Sequence, residues 1–559
     1  MTTGVLAALA SIPIILILAL MVGFRWPATR TMPIAWISAV LLAAFVWQTP
    51  SNYLLASSIK GLNSALEILL IVFGAMVLLF TLREAGALES INRGFRNISR
   101  DRRVQAILIC WLFGAFLEGA AGFGVPAALL SPLLVSLGFP PLAAVTVSLI
   151  ANATPVSFGP VGVPTLIGIG TPLNSPAVLS DLATHGLSFA QFIHLVGFWT
   201  AVLHAAAALF VPLLAVSLMT RYFGARRSFR DGLRIWRFAL FCGAAFVIPY
   251  LLTAWFLGPE FPSLFGGLVG LAIALPAAKT GFLLPKDVWE FPAPSEWEKN
   301  WTGSENQQPV PGGAHVRLWK AWLPYVLVGA LLVLTRVDAL PFKAILKSYP
   351  IAMNDLFGTH VKTSLEPFYN PGVLPFILMG LLCVPMFGMK KRQVLVAWQE
   401  SLHRLKAPAI ALLFTVPMVE VMQAGQSPLG YESMPIAIAQ YVSNLVGSAW
   451  PMVSPFVGAF GAFIAGSNTV SNLLFGVLQY AVAARLHISH IIVLSLQNAG
   501  GSFGVLVCVF KIIAACATVG LSGLEGAIIR RNALPLVLYG LVVGTVGTIL
   551  IYTVGSSLF

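Results

Sequence analysis

Hydrophobic positions along this chain do not alternate or fall into short stripes. They come in long unbroken runs such as "VLAALASIPIILILALMVGF" (5–24), "SALEILLIVFGAMVLLFTL" (64–82) and "LPLVLYGLVVGTVGTILIYTVG" (534–555). Each is close to the ~20 apolar residues a helix needs to cross the hydrocarbon core of a bilayer. About a dozen such spanning or partly spanning segments are expected, which predicts an all-α polytopic membrane protein. The first run is longer than a signal-peptide core and no basic region precedes it, so it reads as a retained helix. The longest polar break is 283–320, "LLPKDVWEFPAPSEWEKNWTGSENQQPVPGGAHVRLWK", rich in Pro, Gly and charges of both signs. It divides the chain into halves at 1–282 and 321–559 and is expected to be a cytoplasmic linker, with its tryptophans as interfacial anchors.

Four polar, glycine-rich stretches interrupt otherwise apolar runs: "GAAGFG" (119–124), "GPVGVP" (159–164), "AGSNTVSN" (465–472) and "NAGGSFG" (498–504). In lipid every backbone polar group must be satisfied internally, so these suit breaks and re-entrant hairpins better than plain spanning helices. Glycine permits the turn, and Ser, Thr and Asn cap the helix ends that a break creates. The free amides at those ends would favour an anion. The competing reading is that the glycines only allow helices to pack closely.

The stretches also repeat. "GAFLEG" begins at 114 and "GAFIAG" at 461, an offset of 461 − 114 = 347. "SLIANATPVSFG" begins at 148 and "SLQNAGGSFG" at 495, and 495 − 148 is again 347. The two motif blocks, 114–170 and 461–526, therefore look like an internal duplication. Basic residues gather at Arg25 and Arg30, at 83–103, 221–237 and 390–406, and at Arg530 and Arg531, while 48–62, 171–190, 338–370 and 425–450 carry fewer. The positive-inside rule places the first set in the cytoplasm and, by alternation, both termini outside. The chain then enters the first block from inside and the second from outside. That is the inverted-topology repeat typical of secondary transporters.

Composition narrows the class. Of 559 residues, 58% are hydrophobic and only 9% charged, against roughly 25% charged in soluble domains. The net charge of +13 falls in short segments between apolar runs, so loop orientation explains it and nucleic acid is not an expected partner. Five scattered cysteines without a CxxC favour neither disulfides nor a structural zinc. No HExxH or P-loop occurs, which argues against a membrane enzyme, and no soluble signalling domain argues for a sensor.

Two ionisable residues stand out within the motif blocks. Glu118 lies in the first, where its repeat counterpart is Ala465, and an acid beside a hairpin in low dielectric is suited to carry a proton. A structural role, capping a hairpin or pairing with an arginine, is the alternative. Lys511, in "VLVCVFKIIAACATVG", would need an anionic partner, either a substrate carboxylate or Glu118, unless it snorkels to an interface. Gly119, Gly122, Gly124, Asn152, Ser467, Asn468, Thr469 and Asn498 are expected to form the hairpins and an anion cradle. Glu67, His194, His204 and Glu420 are weaker candidates, and the "HISH" at 487–490 lacks the further ligands a metal site needs. Importing a monoanion against an inside-negative potential costs about 2.3 kcal/mol per 100 mV, and co-transport of one proton removes that term. A sodium-coupled carrier of another organic anion is the rival, since "SNTVSN" could offer Ser and Asn oxygens.

"GAFLEGAAGFGVP" (114–126), "GAFIAGSNTVSN" (461–472) and "ATVGLSGLEG" (517–526) resemble characteristic segments of the lactate permease family, and block order agrees over almost the whole chain. "SNT" at 467–469 is also similar to hairpin motifs of the wider ion transporter superfamily. The resemblance implies proton-coupled uptake of L-lactate, glycolate and related 2-hydroxymonocarboxylates across the bacterial inner membrane, with no cofactor. One departure is plain. Where members of the family carry a His-Asn pair, this chain has Phe510 and Lys511, and "GGSFGVLVCV" differs from the usual small polar run.

Overall fold

The computed structural model describes every residue except 25, 97, 123, 303–315, 337–339, 425–426, 522 and 556–557, and only the backbone of 22, 92 and 96. Arg25, one of the expected cytoplasmic charges, and the centre of the 283–320 linker lie outside the described residues. Twelve of the described helices are long and apolar enough to cross a membrane. The described strands form one two-stranded antiparallel hairpin, Ile351–Met353 with Thr363–Leu365, Ile351 opposite Leu365. The protein is an all-α polytopic membrane protein.

The helices that matter below are labelled in chain order: α1 Ser51–Glu84, α2 Gly114–Ala120, α3 Val125–Ser136, α4 Pro141–Ala151, α5 Phe189–Ala208, α6 Val211–Phe223, α7 Lys391–Gln423, α8 Trp450–Ala465, α9 Asn468–Leu486, α10 His490–Gly504, α11 Val509–Thr518 and α12 Glu525–Thr553. Both halves of the chain contribute to one core. Helix α1 of the first half lies antiparallel to α7 of the second. The Lys60–Glu420 ion pair (3.0 Å) marks one end of the contact, and the bond from Gln393 Nε2 to the Glu84 carbonyl (3.0 Å) marks the other. Likewise α5 packs on α10 and α12.

Small residues make these crossings close, as expected where helices associate without a hydrophobic driving force. A Cβ placed on Gly61 would lie 2.4 Å from the Pro417 Cα, and one on Gly74 only 1.9 Å from the Gly372 carbonyl oxygen. Backbone meets backbone, so no rotamer change can relieve the overlap. Gly74→Ala is expected to cost about 1–3 kcal/mol, read as a lowered unfolding temperature of the purified protein in detergent.

Several regions that charge and polarity mark as loops are helical. The 48–62 segment is mostly the first turns of α1, which runs unbroken for 34 residues, and 390–406 is mostly the first half of the 33-residue α7. The 425–450 loop contains the helix Met434–Val446. Polar side chains on a helix do not by themselves stop it. The described start of the linker also differs from a free tether. Trp301 is buried with its ring 5.3 Å from Phe223, and Phe291 packs at 5.0 Å on Phe139. At the same end of the molecule, Arg103 is fully buried against Asp101 (2.7 Å) and the Asp287 carbonyl (2.9 Å).

Candidate functional site

Three chain breaks set up the site. Between α2 and α3 the backbone turns through Gly122 (φ 58°) and Gly124 (φ 81°), a left-handed conformation that glycine adopts without strain. Between α8 and α9, Gly466 (φ 78°) ends one helix and the extended Ser467 begins the next. Between α10 and α11 a single 3-10 turn, Val505–Val507, leads to Cys508, whose thiol accepts from the Lys511 backbone N–H (3.5 Å). "NAGGSFG", expected as a break, is instead helical within α10. There Gly500 and Gly504 would carry a Cβ 2.0 Å from the Pro455 carbonyl oxygen and 2.5 Å from Ala459 Cα, so these glycines serve close packing against α8.

A cavity of about 910 Å³ lies where the breaks meet. The first residues of α9 (Asn468, Thr469) and α11 (Val509, Phe510, Lys511) line it, together with Ser467 and, from α2, Glu118. Two helix N-termini thus present their first-turn amides to the same space, which favours a bound anion. The lining continues through Trp26–Thr29 and through Gly523, Glu525, Gly526 and Ile529, next in sequence to Arg30, Arg530 and Arg531.

Charge distinguishes this cavity from the rest of the interior. Six Asp, Glu, Lys or Arg residues are buried among the described residues: Asp101, Arg103, Glu118, Arg336, Glu420 and Lys511. Four have a counter-ion: Asp101 with Arg103 at 2.7 Å, Arg336 with Glu260 at 3.5 Å, and Glu420 with Lys60 at 3.0 Å. Glu118 (1% exposed) and Lys511 (3% exposed) have none within ion-pair distance, and both face the cavity. An ionisable group buried in a membrane protein without a counter-ion is a candidate functional group.

The surroundings hold these two groups in place. Asn152, just after α4, donates from Nδ2 to Glu118 Oε2 (3.1 Å), and Gly159 sits so close that an added Cβ would be 2.8 Å from Glu118 Cγ. Behind Asn468 lies a buried amide network centred on Asn498. Its Oδ1 accepts from Asn468 (3.0 Å) and Asn472 (2.9 Å), while its Nδ2 donates to Thr165 Oγ1 (2.8 Å) and Thr200 Oγ1 (3.3 Å). With four partners Asn498 is saturated, so it orients Asn468 and does not itself reach the cavity. Asn468 Oδ1 and Asn152 Oδ1 are buried without a donor among the described residues.

The expected site residues therefore divide. Glu118, Ser467, Asn468, Thr469 and Lys511 line one cavity; Asn152 and Asn498 support it from behind. Gly124 abuts the Lys511 side chain, where an added Cβ would be 3.4 Å from Cγ. Gly119 and Gly122 are not among the residues lining the cavity: a Cβ added to Gly119 would lie 2.5 Å from the Leu264 backbone nitrogen and one on Gly122 would lie 2.4 Å from Pro160 Cδ, so Gly119 permits close packing, and Gly122 does so while also forming the turn. Glu67, His194, His204 and Glu420 do not line the cavity. His194 faces the Trp255 carbonyl (2.9 Å), and the ring of His490, from "HISH", lies against Tyr480 (4.3 Å) and Phe559 (4.6 Å). His204 joins an unanticipated buried chain, Nε2 to Ser157 Oγ (2.9 Å) and Nδ1 to Tyr539 OH (2.7 Å), with Tyr539 also bonded to Thr154 Oγ1 (2.8 Å). Its signal in the sequence is faint: single polar residues in separate apolar runs.

Comparison with known proteins agrees with this architecture. Residues 6–554 match the L-lactate permease family. A Haemophilus influenzae protein named for the same family is 32% identical over 556 residues, with 96% of each chain covered. The L-lactate permease of Bacillus subtilis is 28% identical, covering 88% of this chain and 86% of its own, and the glycolate permease of Escherichia coli is 26% identical, covering 97% and 95%. With the match running through every helix that shapes the cavity, this chain belongs to the L-lactate permease family and is a membrane permease, not an enzyme.

Proposed function

We propose that this protein is a proton-coupled importer of L-lactate, glycolate and related short 2-hydroxymonocarboxylates, working by alternating access in the bacterial inner membrane. The observation that carries the reading is a buried acid and a buried base in one cavity, neither in an ion pair among the described residues. Lys511 and the first turns of α9 and α11 receive the substrate carboxylate; Thr469 meets the 2-hydroxyl, and Asn468, whose carboxamide is turned to Asn498 and Gly501, frames the site. Glu118 takes the proton.

Charge balance then supplies the coupling. With the site empty, ionised Glu118 and Lys511 sum to zero. With anion and proton both bound, neutral Glu118 and a Lys511–carboxylate pair again sum to zero. A carrier holding the anion alone or the proton alone has a net charge in low dielectric, and such states are disfavoured in the transition between the two faces. The strictly coupled cycle is thus the one that keeps the membrane interior neutral.

The two motif blocks act as inverted repeats, with α2–α3 and α8–α9 as hairpins approaching from opposite sides. The basic residues that flank the cavity's outer lining favour a cytoplasm-facing state, with both termini outside. The two orphaned carboxamide oxygens, Asn468 Oδ1 and Asn152 Oδ1, favour a second reading in which sodium is the coupling ion, since such oxygens are suitable sodium ligands. Uptake of labelled L-lactate into sodium-free proteoliposomes under an inward proton gradient separates the two. Accumulation without sodium is the expected result; uptake that appears only when sodium is added overturns the proton reading.

A further inference from the structure

A second cavity, of about 370 Å³, shares no lining residue with the transport site and lies where α6 finishes and α12 begins. Its lining includes three arginines, Arg221, Arg227 and Arg531, and a single carboxylate, Glu298. The arginines are held in position. Arg221 donates to the Arg227 carbonyl oxygen (3.2 Å), and Arg531 donates to the Ala527 carbonyl oxygen (3.1 Å) while its guanidinium lies 5.7 Å from the Tyr222 ring centre and 5.6 Å from that of Phe223. Arg227 pairs with Glu298 and sits 5.8 Å from the Trp301 ring. Its backbone is left-handed (φ 45°), a conformation that costs a non-glycine residue about 1 kcal/mol or more and persists only where the surroundings impose it.

Three guanidiniums around one pocket, against one carboxylate, leave two positive charges uncompensated. Planar guanidinium forks match the oxygens of a phosphate group. The rest of the lining selects the source of that phosphate. Phe229 (38% exposed) and Leu534 (50% exposed) place apolar side chains at the mouth of the pocket, and Leu233 and Trp236 follow on the exposed surface. A soluble anion has no use for such a rim, whereas a phospholipid can lay an acyl chain along it. Basic pockets between membrane helices on the face that carries the positive loops are suited to anionic headgroups.

We infer that this pocket binds the phosphodiester headgroup of an anionic phospholipid, with Arg221 and Arg531 as its main ligands and Glu298 as a competing internal carboxylate. The inference is independent of the transported substrate. Native mass spectrometry on the full-length protein tests it, titrating phosphatidylglycerol against phosphatidylethanolamine and against inorganic phosphate. Wild type is expected to retain phosphatidylglycerol in preference to both. Arg221→Gln/Arg531→Gln should weaken that binding about tenfold or more, the loss of two charge-assisted contacts. Glu298→Gln, which removes the competing carboxylate, should tighten it, a gain that misfolding cannot mimic. Equal retention of phosphatidylethanolamine, unchanged affinity in the double variant, or no gain in Glu298→Gln overturns the inference; tighter binding of inorganic phosphate than of lipid overturns the lipid assignment.

Discussion

Lys511→Gln is expected to raise the half-saturating concentration of L-lactate by about thirtyfold or more. A charge-assisted contact to a carboxylate contributes about 2 kcal/mol, and that energy corresponds to a factor near thirty. The effect should exceed that of losing a surface lysine because Lys511 is buried and has no counter-ion among the described residues to share its charge. Lys511→Arg should retain part of the affinity, since it keeps the charge but crowds Gly124 and Phe510. Initial rates of labelled lactate uptake over a range of concentrations measure both variants, and elution as a single monodisperse species shows that they are folded. An unchanged concentration dependence in Lys511→Gln would remove the lysine from the substrate site.

Glu118→Gln should separate binding from coupling. Glutamine keeps the shape of the protonated acid and can still contact Asn152, so exchange of external for internal lactate should continue. Net accumulation driven by a proton gradient should be lost. Without a proton to offset its charge, lactate is excluded by an inside-negative potential of 100 mV by about 2.3 kcal/mol, or about fiftyfold. Counterflow and gradient-driven uptake in the same proteoliposomes give the contrast. Gradient-driven accumulation at wild-type level in Glu118→Gln would falsify the assignment of the glutamate as the proton carrier.

The sequence was most informative where its physics is local. Long apolar runs identify the spanning helices because the bilayer sets their length. The break at 119–124 is legible because Gly122 and Gly124 supply the left-handed turn, and Gly466–Ser467 is legible as a left-handed stop followed by an extended residue at the start of the next helix. The break at 505–508 is not, since "VLVC" contains no glycine or proline and turns only because Cys508 caps α11. "NAGGSFG" misleads in the opposite sense: its glycines are needed by a neighbouring helix, a requirement that exists only in three dimensions. Glu118 and Lys511 could each be singled out as acid and base in apolar surroundings. That they share one cavity, and that the other buried charges are paired, follows from residues 393 positions apart coming together (511 − 118).

The antiparallel pair α1 and α7 has a consequence of another kind. Helices of 34 and 33 residues are about 50 Å long, while the hydrocarbon core is about 30 Å thick. Even at a tilt of about 40°, the upper end of the usual range, such a helix spans nearly 40 Å along the membrane normal. Both must therefore protrude into the headgroup region. Locked together from Lys60–Glu420 to Glu84–Gln393, they form a single beam whose ends feel the thickness of the membrane, so bilayer composition bears mechanically on the frame that surrounds the cavity.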